Sequence, residues 1–128
     1  TTETAFHSGD KLYVHLVVDR AGAAYAGMFD GESTFTLRDG EPATLRAGDN
    51  TLPWSINLDD RVGTETLILI IAMEAVGSAE LQQIFAEVAS TTERLGGTRD
   101  EKLQAALALF RSDARFIIDH ITFEHLAR

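Results

Sequence analysis

Gly63-Thr-Glu-Thr-Leu-Ile-Leu-Ile-Ile-Ala-Met-Glu74 is the stretch that decides the fold of this chain. Its apolar run from Leu67 to Met73 does not alternate with polar residues, which predicts a strand covered on both faces. The segment before it, Leu52-Pro-Trp-Ser-Ile-Asn-Leu-Asp-Asp60, is polar and prone to turns. We therefore place the centre of one small core at this strand and expect a turn-rich approach to it.

Length and composition indicate one globular, β-rich domain. At 128 residues the chain is long enough to bury a core without a metal or disulfide. It has no cysteine, which excludes disulfides, thiol catalysis and cysteine-ligated metal sites. Because the chain starts at Thr1 without a methionine, we expect a single domain over residues 1–128 that was excised or processed from a longer protein.

The charge balance limits the possible partners. Eleven basic and twenty acidic residues give a formal net charge of −9, which repels nucleic acids and anionic membranes at long range. The longest apolar run is far shorter than the ~20 residues that a membrane-spanning helix needs. We expect a protein partner, no nucleic acid and no membrane insertion, and the oligomeric state stays open.

The first half of the chain alternates apolar and polar residues, which is typical of half-buried strands. Leu12, Val14 and Leu16 share one face in this pattern, and Asp30-Gly31 and Asp39-Gly40 are strong hairpin signals. Consecutive hairpins predict an antiparallel meander. Its strands are expected at Lys11–Asp19, Ala23–Asp30, Ser33–Arg38 and Ala43–Ala47.

The second half of the chain predicts two helices. The first helix has Ser78 as its N-cap and ends near Thr92, before Gly96-Gly97. Thr98-Arg-Asp-Glu101 matches a capping box that starts the second helix. The apolar stripes that should pack on the sheet are Leu81, Ile84, Phe85 and Val88 in the first helix, and Leu103, Ala106, Leu107 and Phe110 in the second.

A closing strand completes the predicted fold. Arg115–Leu126 alternates as a long strand, with Ile117, Ile121 and Phe123 on one side. We therefore predict an α+β fold. It consists of an antiparallel, sandwich-like meander of about six strands, with the two helices packed on the sheet.

Four residues near the entry to the central strand are the candidate contacts for a ligand or partner. Asp59, Asp60 and Glu65 carry carboxylates suited to proton transfer or to a hard cation, but their spacing does not match a calcium-binding loop. We interpret Asp59 and Asp60 as part of a solvated turn. Trp54 is interpreted as a plug at the end of the sheet, with stacking on a sugar or partner as the alternative.

The histidines do not form a catalytic or metal-binding pattern. The string from His120 to His125 has one residue too many for the inverted zinc motif. On a strand, His120 and Glu124 share one face and His125 lies on the other. We expect these three to be exposed residues of a terminal strand, and His15 to be a neutral imidazole on a half-exposed face.

Nucleophile and phosphate motifs are also missing from the sequence. Ser8 and Asp10 beside His15 suggest a serine triad, but the chain has no Gly-x-Ser-x-Gly elbow. Its glycines match neither the phosphate-binding nor the dinucleotide-binding loop. We assign no catalytic residue, no metal and no cofactor.

Several turn and core motifs together resemble a bacterial family of β-rich domains of unknown function. They are Gly9-Asp-Lys-Leu-Tyr13, Gly48-Asp-Asn-Thr-Leu-Pro53, Ile56-Asn-Leu-Asp-Asp60 and Gly63-Thr-Glu-Thr-Leu67, and the resemblance spans about Gly9 to Leu81. Members often lie behind a membrane anchor and an anti-sigma-factor-like zinc finger, or beside caspase-like peptidase modules. They usually carry a proline after the central strand, where this chain has Ala75-Val-Gly77.

The resemblance implies a sensory, regulatory or scaffolding role and offers no catalytic residues. It favours the extracytoplasmic part of an anchored protein. Our leading hypothesis is therefore a non-enzymatic interaction or ligand-sensing domain. The alternatives are a small hydrolase or lyase that uses Asp59, Asp60, Glu65 or His15, and a carbohydrate-binding sandwich that uses Trp54.

Overall fold

The structure, a computed structural model, describes residues 5–29, 35–37, 42–58 and 62–128. It confirms the predicted α+β class, since a helix pair follows a series of strands and one long strand closes the fold. The elements are β1 (Ala5–His7), β2 (Lys11–Val18), β3 (Gly22–Phe29), β4 (Phe35–Leu37), β5 (Ala43–Leu45), β6 (Gly48–Asn57), β7 (Gly63–Ala72), α1 (Ser78–Leu95), α2 (Arg99–Arg111) and β8 (Phe116–Leu126).

The strands form one six-stranded sheet and one two-stranded ribbon. The sheet has the order β1-β8-β7-β3-β4, with β5 also paired to β3, while β2 and β6 form the ribbon. Because β1 runs parallel to β8, the sheet is mixed and not purely antiparallel. The predicted meander is also different, since β2 pairs with β6 and not with its neighbour β3. The predicted turns Asp30-Gly31 and Asp39-Gly40 lie outside the described residues.

Strand β7 lies at the centre of the fold and is covered on both faces, as its sequence predicts. Leu67 to Ile70 are each at most 4% exposed, whereas Met73, the last residue of the predicted run, lies beyond the strand and is 60% exposed. Ile68 and Ile70 face the helices, whereas Leu67 and Leu69 face the ribbon. We call these two faces of the sheet the helix side and the ribbon side.

The helix pair covers one face of the sheet through the predicted apolar stripes. Phe85 of α1 and Phe110 of α2 pack with ring centroids 5.0 Å apart. Phe85 also lies on Gly27, where a Cβ atom would come within 2.6 Å of the aromatic ring. The capping box of Thr98 and Glu101 is present at the start of α2. The predicted cap of α1 was wrong by one residue, because the N-cap is Gly77.

The ribbon covers the other face. Val14 and Leu16 of β2 and Leu52 of β6 are buried against Ala24 and Ala26 of the sheet, together with the ribbon-side residues of β7. The small alanines leave room for the larger ribbon side chains to interdigitate. The ribbon therefore packs on the sheet as a second layer, which agrees approximately with the predicted sandwich-like arrangement.

Two strands were missed by the sequence analysis. Residues Gly48–Asn57 form the long strand β6, although the segment from Leu52 onward was predicted to be prone to turns. The pairing of β2 with β6 shifts register between Tyr13 and His15, so residues 52–54 lie opposite Val14 in a bulge. A bulge accommodates Pro53, which regular inner strands exclude. The other missed strand, β1, has three residues and depends on its pairing with β8.

No helix within the described parts of the chain is long and apolar enough to span a membrane.

Candidate functional site

Among the predicted site residues that the structure describes, Glu65 is the one that lies in a polar cluster. It lies on the ribbon side of β7 and is 6% exposed. Trp54 is partly buried and packs against the ribbon-side core, and its role, as a plug or as a contact for a ligand, stays a prediction. Asp59 and Asp60 lie outside the described residues. The structure therefore brings Glu65 together with residues that the sequence did not connect to it.

A buried histidine joins Glu65 to a serine near the start of the chain. Glu65 Oε2 lies 2.5 Å from His125 Nδ1, and Ser8 Oγ lies 2.8 Å from His125 Nε2. His125 is 1% exposed. With the proton of the imidazole on Nδ1, His125 donates to the Glu65 carboxylate, and Nε2 accepts from the Ser8 hydroxyl. We call this hydrogen-bonded series the Ser8–His125–Glu65 chain.

Strand register brings the three residues together. In the antiparallel pairing of β7 and β8, His125 lies opposite Gly63, two residues from Glu65 on the same face. The parallel pairing of His7 with Leu126 then places Ser8 just beyond the end of β1. These contacts join positions 5–8, 63–65 and 123–126, so a reading of local sequence does not reveal them.

Backbone hydrogen bonds fix the turn that carries Ser8. The amide of Ser8 donates to Leu126 O at 2.9 Å, and the amide of Gly9 donates to Leu58 O at 3.0 Å. Asp10 accepts from the amide of His7 and forms an ion pair with Arg128. Gly9 has a φ of 87°, which glycine adopts without strain. The turn is thus tied to the ends of both β6 and β8.

The Ser8–His125–Glu65 chain has the order of groups that activates a serine hydroxyl in hydrolases. Such enzymes also need amide donors aimed at the oxyanion. Here the amides of Ser8, Gly9 and Asp10 all donate to carbonyl oxygens of the fold. The Ser8–His125–Glu65 chain can therefore move a proton, but the turn that carries Ser8 does not supply an oxyanion site.

The prediction that His125 is exposed was wrong. The β7–β8 ladder runs without a bulge, so His125 points to the ribbon side, where it is enclosed together with Phe123. His120 and Glu124 do lie on the opposite face, as predicted, but both are half-buried and not exposed. Glu124 accepts a hydrogen bond from Thr64 Oγ1 at 2.7 Å. Within the described ranges, no group of three or more His, Asp or Glu side chains is placed to hold a metal.

His15 lies apart from Glu65 and has different partners. Its ring contacts Thr51 Oγ1 at 3.2 Å and Asp49 Oδ1 at 3.3 Å on the exposed face of the ribbon. This position agrees with the predicted half-exposed imidazole. The predicted alternative of a hydrolase or lyase that uses Asp59, Asp60, Glu65 or His15 stays a prediction, because Asp59 and Asp60 lie outside the described residues. Among the described contacts, Glu65 pairs with His125 and not with His15.

A cleft opens where the end of the ribbon meets the sheet. Its volume is about 400 Å³, which lies within the usual range for small-molecule sites. Met28, Ile56 and Leu67 also belong to the ribbon-side core and give the cleft an apolar lining. Its described lining residues carry no charged side chain and are Ala26, Gly27, Met28, Thr36, Ser55, Ile56, Asn57 and Leu67.

One carboxyl group remote from both features has a clearly shifted pKa. Hydrogen bonds from the side chain and backbone of Arg115 lower the pKa of Asp113 below its ordinary value. Arg115 also forms an ion pair with Glu80 at 2.9 Å. These groups tie the loop before β8 to the start of α1, which indicates a structural role.

No protein-family model, curated protein or solved structure matches this chain. The family resemblance of Gly9 to Leu81 therefore stays a prediction, and the functional assignment depends on the geometry of the cleft and of the Ser8–His125–Glu65 chain.

Proposed function

We propose that this chain is a non-enzymatic ligand-sensing domain that binds a neutral small molecule in the cleft between ribbon and sheet. The observation that supports this proposal is the composition of the cleft. Aliphatic and thioether groups of Met28, Ile56 and Leu67 favour an apolar body, while Thr36, Ser55 and Asn57 add neutral donors and acceptors. An ionic ligand would lose its hydration there without gaining a charged partner among the described lining residues.

The position of the cleft suits a sensing role. It is lined by β6 of the ribbon and by β3, β4 and β7 of the sheet. The ribbon forms its strand pairing within itself, so it contacts the sheet mainly through side chains. A ligand that fills the cleft contacts both the ribbon and the sheet. It therefore favours one arrangement of the ribbon over others. The resemblance to a family with regulatory neighbours agrees with this function.

A ligand screen with a cleft-filling variant tests the proposal. We expect uncharged molecules such as nucleosides, monosaccharides and aromatic amides to include a binder that shifts the amide resonances of residues 26–28 and 55–57. At about 100 times its dissociation constant, that binder should stabilise the fold by about 2.7 kcal/mol. Met28→Trp should abolish binding because the larger ring occupies the cleft.

Met73→Trp is the matched control, since Met73 lies on an exposed turn after β7. It should bind like the unchanged protein. Equal binding by Met28→Trp would show that the ligand lies elsewhere. A panel without any binder, together with sustained turnover of a substrate, would overturn the ligand-sensing proposal.

We propose hydrolysis of an activated ester as a second candidate function, supported by the Ser8–His125–Glu65 chain. In this reaction Ser8 Oγ attacks the carbonyl carbon while its proton passes to His125 Nε2. The imidazolium then protonates the leaving alcohol, and water releases the acid from Ser8 by the same proton path. Arg128 Nε donates to Ser8 O at 2.8 Å, so a cation lies beside the turn that carries the nucleophile.

Hydrolysis of p-nitrophenyl acetate tests this second function. If Ser8 is the nucleophile, Ser8→Ala should lower the rate by at least about 100-fold. Ser90→Ala, which removes a hydroxyl from the exposed surface of α1, should leave the rate unchanged. If Ser8→Ala hydrolyses the ester at the same rate as the unchanged protein, the Ser8–His125–Glu65 chain has only a structural role.

A further inference from the structure

The cleft between ribbon and sheet reaches the outer face of the ribbon. Ser55, Ile56 and Asn57 are three consecutive residues of β6, and all of them line the cleft. Successive side chains of a strand point to opposite faces. Because Ile56 packs against the ribbon-side core, Ser55 and Asn57 point outward. These two residues therefore form a rim where the cleft meets the outer face of the ribbon.

An exposed aromatic side chain lies next to this rim. The antiparallel pairing of β2 with β6 places Tyr13 directly opposite Ser55, and Lys11 directly opposite Asn57. Residues opposite each other in such a pair share one face, with Cβ atoms about 4.5–5.5 Å apart. Tyr13 is 70% exposed. Its ring is therefore one strand away from the cleft and accessible from solvent.

Hydrogen-bonding groups surround the Tyr13 ring on this face. Ser55 contributes a hydroxyl group and Asn57 a carboxamide, which together can both donate and accept, and the ammonium group of Lys11 adds donors. An aromatic ring offers a flat apolar surface at the same place. A sugar has matching groups, because its C–H bonds pack on an aromatic ring while its hydroxyl groups form hydrogen bonds at the periphery.

We infer that the ligand of the cleft is a glycoside, with its apolar aglycone in the cleft and its sugar on Tyr13. This assignment of a ligand class rests on the proposed function, since the cleft has to bind the apolar part. Ser55 and Asn57 bond the sugar where it leaves the cleft, and Lys11 donates to a hydroxyl group farther out. One ligand thus contacts the sheet, the inner face of the ribbon and its outer face.

Two observations favour a sugar over an apolar or an anionic group on Tyr13. An apolar group would take water from the Ser55 hydroxyl and the Asn57 amide without replacing its hydrogen bonds. An anionic group would be repelled at long range by the net charge of −9. A neutral group with many hydroxyls avoids both costs.

Two related probes separate the aryl part of the ligand from its sugar. Anisole carries the aryl ether alone, and phenyl β-glucoside carries the same aryl ether with a hexose. We expect the glucoside to bind about tenfold more tightly, because stacking on Tyr13 and the rim hydrogen bonds add to the contacts in the cleft. In NMR titrations both probes should shift the amide resonances of residues 26–28, and the glucoside alone should shift the ring resonances of Tyr13.

Variants of β2 make the test specific. Tyr13→Ala should lower the affinity for phenyl β-glucoside to that for anisole and leave anisole binding unchanged, whereas Tyr13→Phe should keep most of the difference. Val17→Ala is the matched control. Val17 is 72% exposed on the same face of β2 but lies beyond the bulge, opposite Asp49. This variant should bind both probes like the unchanged protein.

The possible outcomes distinguish the glycoside assignment from the proposed function. If the unchanged protein binds anisole in the cleft and the glucoside no more tightly, the assignment is wrong and the proposed function stands. An equal loss of both probes in Tyr13→Ala would also overturn the assignment, since Tyr13 would then support the cleft and not contact the sugar. A lack of shifts at residues 26–28 with either probe would overturn it as well, and the wider ligand screen described above then decides the proposed function.

Discussion

Replacement of His125 by alanine should lower the free energy of unfolding by about 3–5 kcal/mol. The reason is the position of Glu65, whose carboxylate is 6% exposed and lies 2.5 Å from the imidazole. The substitution removes a hydrogen-bond donor from this buried carboxylate and also leaves a cavity beside Phe123. Denaturant titration followed by circular dichroism measures the change.

His15→Ala is the matched control for this prediction. His15 also contacts a carboxylate, since Asp49 lies 3.3 Å from its ring, but both side chains are largely exposed. Exposed pairs contribute little, so this variant should change the free energy of unfolding by less than about 1 kcal/mol. Similar denaturation midpoints for the two variants would contradict the buried position of the Ser8–His125–Glu65 chain.

Ile70→Ala should lower the free energy of unfolding by about 2–5 kcal/mol. Ile70 is fully buried at the middle of β7, where it contributes to the core between the sheet and the helix pair. Truncation removes buried apolar surface and leaves a cavity that rigid neighbours fill only in part. Urea denaturation gives the free energy together with its dependence on denaturant concentration.

Ile117→Ala makes the same chemical change on the adjacent strand. Ile117 lies opposite Ile71 in the β7–β8 ladder but is 62% exposed. Its truncation should change the free energy of unfolding by less than about 0.5 kcal/mol. A loss as large as that of Ile70→Ala would show that Ile117 is covered in the folded protein and not exposed to solvent.

The sequence was most informative where local patterns and packing agree. The run from Leu67 to Met73 predicted a doubly covered strand, because an element without a polar face has to be buried on both sides. Thr98 and Glu101 predicted the start of α2, since a capping box involves only neighbouring residues. The stripes of both helices could likewise be read from their spacing, and they form the helix-side core.

The strands of the ribbon were harder to predict for a physical reason. β6 contains Gly48, Asp49, Asn50 and Pro53, which favour turns when they are considered by themselves. These residues have little local preference for a strand, and the pairing of β6 with β2 stabilises the extended conformation. The bulge opposite Val14 also interrupts the alternation that identifies a strand. Tertiary pairing therefore overrides local preference in this segment.

The polar cluster could be predicted only in part. The sequence identified Glu65 as a candidate contact because it is a charged residue at the entry to an apolar strand. A weak signal existed for His125, since it follows the buried Phe123 at a spacing of two, which places both on one face. The pairing of Glu65 with His125 depends on the register of β7 with β8, and the sequence alone did not specify that register.

The position of β8 has a consequence for synthesis of the protein. This strand follows the other described strands along the sequence and lies inside the sheet, between β7 and β1. While a ribosome is still making it, the apolar edge of β7 has no neighbour on one side and β1 has no strand to join. The sheet can close only after residues 116–126 have left the exit tunnel. Nascent chains that stall before this point expose a hydrophobic strand, and such species are prone to aggregate or to require a chaperone.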